Sequence, residues 1–433
     1  MTRPHLERLR GLVHDILGAP DPRFELPAEN RWAAELFDKS HPYSGALRSG
    51  LVGSIVQLAI NGEHVAGGSG QGLADVIVHD LLDGKQTKRK DAWPALAHWL
   101  PDLAEAAPVA FLESVEALIA DKEAVAAIFQ EEGIFGFHPH VFLLWALERL
   151  AWSEDFLTRV TAILGDLAAV DPGGRMSSRP QATLVEIFLP WHPQTTASVD
   201  HRLTAIDLLL NRQPNVAWKL CVSLLPGREV MASDTAQPRW RNWKTVENPK
   251  VSPDEYKRFS DEILTRVLAL AGTNGDRWAI LIQAYDRFRL EYPSAAKLII
   301  ESLRALAPSD LGEESRVEIT SALRQCLSRH RELKHDAKWA MSEHELNVVD
   351  ALYDHFQPHD LVERYAWLFH PWPELPTGGR FSGNYEENER RVEEERTKAL
   401  KRIYGQSGID GVLALASRSQ NSDIVGTTLA LLT

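Results

Sequence analysis

Cysteine, positive charge, long apolar runs and strand-type alternation are all scarce in this sequence, and each scarcity excludes something. The only cysteines are Cys221 and Cys326, each inside an apolar helical pattern. A disulfide framework is excluded; buried reduced thiols and a cytoplasmic setting are expected. The formal net charge of −13 argues against a general nucleic-acid binder, which needs a basic surface to release counterions. Only a local basic patch remains open. No apolar run approaches the roughly 18 residues of a membrane span, and the opening MTRPHLERLR lacks the apolar core of a signal peptide.

What is present reads as helix after helix. Hydrophobic content of 44% and charged content of 25% are ordinary globular values. A chain of 433 residues outgrows one compact core, so it implies two to four domains or an array that grows in one dimension. Leu6, Leu9, Val13, Ile16 and Leu17 stripe an opening helix. Residues 44–60 read as a buried helix whose small residues at 45, 49, 50, 53 and 54 admit a close neighbour. Residues 92–120 pair two helices around Pro108, the look of HEAT-like repeats.

Residues 179–225 organise the reading: helix, proline-aromatic elbow, helix, proline break, helix. Pro190 stops the first helix, Thr195 and Thr196 offer hydroxyl caps for the next, and Leu203, Ile206 and Leu210 form its stripe. A second elbow, Phe369-His370-Pro371-Trp372-Pro373, echoes the first. The 13 tryptophans are expected mostly to fill gaps between packed helices, Trp191 among them. The fold expected is all-α, a HEAT/TPR-like α-solenoid of stacked helix pairs. Its halves are residues 1–225 and 254–433, separated by a long irregular loop, 226–253. The apolar last helix, IVGTTLALL, has no polar cap, which suggests a piece of something longer or a covered end.

Catalytic motifs are missing. His138 and His140 flank Pro139 and read as a helix N-terminus rather than half of a zinc site. His192, His201, His330, His335 and His370 are scattered, and no carboxylate pair stands out from solvated helix faces. The glycines at 67, 68, 70 and 72 lead into a helix but follow no strand, and Gly84-Lys85-Gln86 lacks the rest of a phosphate loop. They read as a linker; no cofactor and no metal are expected. The loop residues Arg239, Trp240, Arg241, Asn242, Trp243 and Lys244 interleave cations with aromatics. That composition suits a protein anchor or nucleic-acid stacking, or simply a loop tucked onto its own helices.

Three sets of residues are familiar together: residues 145–152 (WALERLAW); Asp171-Pro172-Gly173-Gly174-Arg175 leading to Arg179-Pro180 and residues 187–195 (IFLPWHPQT); and residues 364–369 (RYAWLF). They resemble the helical C-terminal regions of large bacterial proteins of the STAND, P-loop NTPase type found in antiphage defence. The resemblance implies a sensor that binds a foreign protein or controls an upstream effector or NTPase domain. It carries over no active-site residue.

The function expected is therefore a non-catalytic helical scaffold for protein recognition and regulation. Arg239, Trp240, Arg241, Trp243 and Lys244 are the candidate partner-binding residues; a protein ligand is favoured over nucleic acid, with no membrane. The alternative is a hydrolase or other enzyme on a helical toroid, its cavity lined by histidines and carboxylates.

Overall fold

A computed structural model describes residues 2–63, 69–83, 91–132, 136–227, 232–244, 250–332, 337, 339–378, 385–419 and 421–432. Gly67, Gly68, the basic turn 84–90, His335, Gly379, Gly383 and Asn384 lie outside them, as do parts of the loop 226–253. Among the described residues there is no strand; the protein is all-helical. No helix is long and apolar enough to cross a membrane. The chain divides into two compact units, residues 1–263 and 264–433. The division falls within a helix, beyond the 226–253 stretch.

The first unit contains α1 (Arg3–Leu17), α2 (Gly45–Asn61), α3 (Gly70–Leu82), α4 (Ala92–Leu96), α5 (Leu100–Ala106), α6 (Pro108–Ala120) and α7 (Lys122–Ile128). It continues with α8 (Pro139–Ala151), α9 (Glu154–Val170), α10 (Pro180–Phe188), α11 (Val199–Arg212), α12 (Pro214–Ser223) and the start of α13 (Pro253–Ala271). Proline opens α6, α8, α10 and α12, where its missing N–H costs nothing. The main packings join α2 to α3 and α5, α5 to α8, and α9 to α11. Phe111, Trp152 and Phe188 are fully buried among them.

The glycines 70 and 72 form the first turn of α3 rather than a linker, with the Ser69 hydroxyl accepting from the Gly72 N–H at 3.0 Å. A Cβ at Gly70 would collide with the Leu58 carbonyl, and its N–H reaches the Gly62 carbonyl at 2.8 Å. Close backbone approach is what glycine permits there.

The first elbow differs from expectation in two respects. Trp191 is 38% exposed, because its ring stands at the tip of the reversal; Phe188 and Leu189 are the residues that bury. The cap of α11 is Ser198, accepting from His201 N–H at 3.3 Å. Thr195 instead accepts from Ala197 N–H, and Thr196 donates to the Trp152 carbonyl at 2.8 Å. Trp32 and Trp145 are also exposed, whereas Trp93, Trp152, Trp218 and Trp278 are core.

The second unit holds α14 (Gly275–Phe288), α15 (Pro293–Arg304), α16 (Glu313–Glu332), α17 (Glu343–His355), α18 (Leu361–Tyr365), α19 (Tyr385–Arg418) and α20 (Ser422–Ala430). The dominant packing is α14 on α16, with α15 on α14 and α17 on α16. A capping box, Ser342 with Glu345, starts α17. A second cluster around Phe369, Leu400, Ile403 and Leu415 closes the unit.

Candidate partner-binding surface

The loop residues singled out in the sequence lie on the first unit's own helices. Residues 232–244 have no helical structure and run as a strap. Pro238 biases the residue before it toward an extended backbone. The three N–H groups that follow converge on one carboxylate. Glu105, in α5, accepts from Arg239 N at 2.9 Å, Trp240 N at 2.7 Å and Arg241 N at 3.0 Å. Consecutive backbone donors of this kind form an anion-binding concavity, here filled by a side chain with 0% exposure. Arg149 supplies the counter-charge, bridging Glu105 at 2.9 Å and Asp102 at 2.8 Å.

Side chains reinforce the seat. The Trp240 indole N–H donates to Asp102 at 3.0 Å. The Arg241 guanidinium reaches the carbonyls of Glu105 and Ala106 and the Gln71 amide oxygen. Trp243 meets Phe156 edge-on at 5.7 Å, and the Lys244 ammonium lies 5.0 Å from the Trp152 ring centre. Upstream, Thr235 N–H donates to Gln194 at 3.2 Å and Ala236 N–H to Glu148 at 2.7 Å.

The structure thus joins all five candidate residues to carboxylates of α5, to the Phe156 ring of α9 and to the Trp152 ring just past α8. Arg239 keeps its side chain exposed, and Trp240 remains half-buried. One part of Trp240 lines a cavity of about 910 Å³ together with Leu9, Gly50, Gly53, Ser54 and Gln57. Cβ atoms added at Gly50 and Gly53 would meet nothing within 4 Å. The small-residue face of α2 therefore admits a neighbour but looks onto open space there.

Comparison with protein-family models, with curated proteins and with solved structures returns no match.

Sequence reasoning missed the acids that make the seat. Glu105 and Glu148 were lost among solvated carboxylates, although each interrupts a densely apolar helix: LPDLAEAA for α5 and LLWALERLA for α8. An acid set against buried apolar neighbours, as Glu105 is between Ala104 and Ala106 and Glu148 is after Leu147, is the signal that would have found them. Burial pushes the Glu148 carboxyl up, against its bonds from Ala236 and Thr183. Nearby Glu186 is pushed up to about 7, first by burial and then by Glu148.

Three polar groups meet in the second unit: Asp286 of α14 with Cys326 and His330 of α16, beside a cavity of about 610 Å³. Their donor atoms lie within 4.8 Å of one another. The imidazole decides what they can do. Its Nδ1 accepts the Met341 N–H at 3.1 Å, so the proton sits on Nε2, which donates to Asp286. Neither nitrogen has a free lone pair for a metal ion or for the Cys326 thiol. Arg329 at 3.1 Å from Asp286 further opposes a dication. Burial, followed by the Asp286 charge, pushes the thiol up to about 12, far from a thiolate nucleophile. The group is a bonded polar network within the core.

At the other histidine pair, Pro139 opens α8 as expected. Burial, then the Arg179 charge, lowers His140 to about 4. Its ring stacks on Phe129 at 5.4 Å and stays neutral. His192 meets Asp234 on the strap at 2.9 Å, and His201 meets Glu154 at 2.7 Å. Among the described residues the scattered histidines do not come together into one set.

Proposed function

We propose that the chain is a non-catalytic helical scaffold, a HEAT/TPR-like stack of helix pairs, that recognises a protein ligand at the groove between α2 and the strap. The observation that carries this is Trp240. Glu105 and Asp102 fix its backbone and its indole N–H, while part of the same residue lines the groove along Gly50 and Gly53. An aromatic anchor locked before binding loses little entropy when it binds. The glycines let a partner's backbone come close, and the exposed Arg239 supplies a cation at the strap's outer side.

The residue sets that resemble sensor regions of antiphage proteins suggest the setting: a scaffold that reads a foreign protein or holds an upstream domain. The enzymatic alternative, a cavity lined by histidine and carboxylate, would centre on Asp286 and His330. The bonding of both imidazole nitrogens speaks against it. Selection of a displayed random-peptide library on the full chain tests the proposal. Peptides that bind the parent and not Gly53→Leu support it; peptides indifferent to that change, or no enrichment, contradict it.

A further inference from the structure

The second elbow is the part of the sequence pattern that the strap and groove do not use. It walls a cavity of about 560 Å³ in the second unit, together with α16, α17, α18 and the end of α19. Three arginines line it: Arg324, Arg364 and Arg418. Their bonding is unequal. Arg418 is neutralised by Glu363 at 3.1 Å. Arg324 is only 7% exposed and stacks 3.9 Å from the Trp367 ring centre. Its guanidinium donates to the Glu374 carbonyl and the Ser321 hydroxyl, each at 3.1 Å. Among the described residues no carboxylate lies within ion-pair reach of it. Burial lowers its pKa, against the opposing influence of Tyr353 and the Glu374 carboxylate.

Arg364 is the more telling group. Its Nε is buried and has no partner among the described residues, and its side chain makes no ion pair there. It lines this cavity and a neighbouring one of about 590 Å³. A chain of net charge −13 has acids in excess, yet among the described residues none forms an ion pair with either guanidinium group; Glu374, on the same cavity wall, acts on Arg324 only from a distance. Burying an uncompensated cation is costly, and a bound anion removes that cost. Of the acids on the cavity wall, Glu363 is already paired with Arg418. The Glu318 carboxyl is pushed up by burial, then by Asp276 and Glu314. Trp372, 63% exposed, stands at the same cavity, with the Tyr385 ring 6.3 Å away and tilted against it.

We propose that this cavity binds a small aromatic oxyanion, its carboxylate or phosphate held by Arg324 and Arg364 and its ring against Trp372. Guanidinium forks match both oxyanions, and indole faces take planar rings. The inference is independent of the groove beside the strap.

Titration calorimetry on the full chain with phenyl phosphate and with benzoate tests it and separates the two oxyanions. At least one should bind at millimolar concentration or tighter, and inorganic phosphate should bind more weakly than the aromatic anion. Arg364→Gln should weaken binding by about tenfold or more without lowering the melting temperature, since among the described residues that guanidinium makes no ion pair and its Nε no hydrogen bond. Trp372→Ala should bring the aromatic anion down to the affinity of the inorganic one. Binding of neither aromatic anion, or unaltered binding by Arg364→Gln, overturns the proposal.

Discussion

The Trp240 N–H donates to the Glu105 carboxylate at 2.7 Å, across 135 residues of sequence. That bond, with its two neighbours from Arg239 and Arg241, ties the long irregular stretch of the first unit to a helix that is otherwise mostly apolar. Removing the acid leaves three backbone donors and the Arg149 guanidinium facing a void. Glu105→Ala is therefore expected to destabilise the protein by about 3–5 kcal/mol, read by urea unfolding. Glu105→Gln, which keeps an acceptor, should lose less. A change below about 1 kcal/mol for the alanine variant would mean that the strap is not held by this acid.

Glu186 gives a pH signature. Its folded carboxyl lies near 7, above the ordinary 4.5. A raised acid favours the folded state while it is protonated, so this contribution is full below about 4.5 and is lost as pH rises through 7. Glu186→Gln removes the late-ionising charge. The variant should melt higher than the parent at pH 8 and match it near pH 4.5. Equal melting temperatures at pH 8 would show that the carboxyl is not raised.

The open space at Gly50 and Gly53 gives a third expectation. Both lie inside α2, and a Cβ at either position would meet nothing within 4 Å, so alanine relieves the entropy cost of glycine without a clash. Each substitution should stabilise by about 0.5–1 kcal/mol. Thermal melts check it, and destabilisation by either would place a neighbour in the groove.

Both cysteines are buried, and the Cys326 thiol sits at about 12. Ellman's reagent should label neither in the native protein and both after denaturation. Prompt labelling of Cys326 in the native state would reopen the nucleophile reading of its cluster.

The helices were legible because helical periodicity, serine and aspartate caps and proline at first turns are local signals. Tertiary choices were not. The same letters Pro-Trp fit a buried ring or one at the tip of a turn, and Trp191 takes the second. The small-residue face of α2 suggested a neighbour, but the pattern does not say whether the chain itself supplies one, and at Gly50 and Gly53 it leaves space. The basic-aromatic stretch was visible as composition. Its seat was not, because Glu105 and Arg239 are linked only by the fold. The His330 network was hidden for the same reason: the backbone N–H of Met341 fixes the tautomer, and no side-chain spacing reveals that.

The account turns on Trp240 and the glycine face of α2 acting as a recognition groove. The most direct measurement is the affinity of a library-selected peptide, by calorimetry, for the parent, Gly53→Leu and Trp240→Phe. Leucine at 53 projects from a position where a Cβ meets nothing within 4 Å, and phenylalanine at 240 keeps the strap's backbone bonds while removing the indole. The account predicts that both variants fold like the parent in circular dichroism and lose about 2–4 kcal/mol of binding. Undiminished affinity in both, with the fold intact, would contradict it.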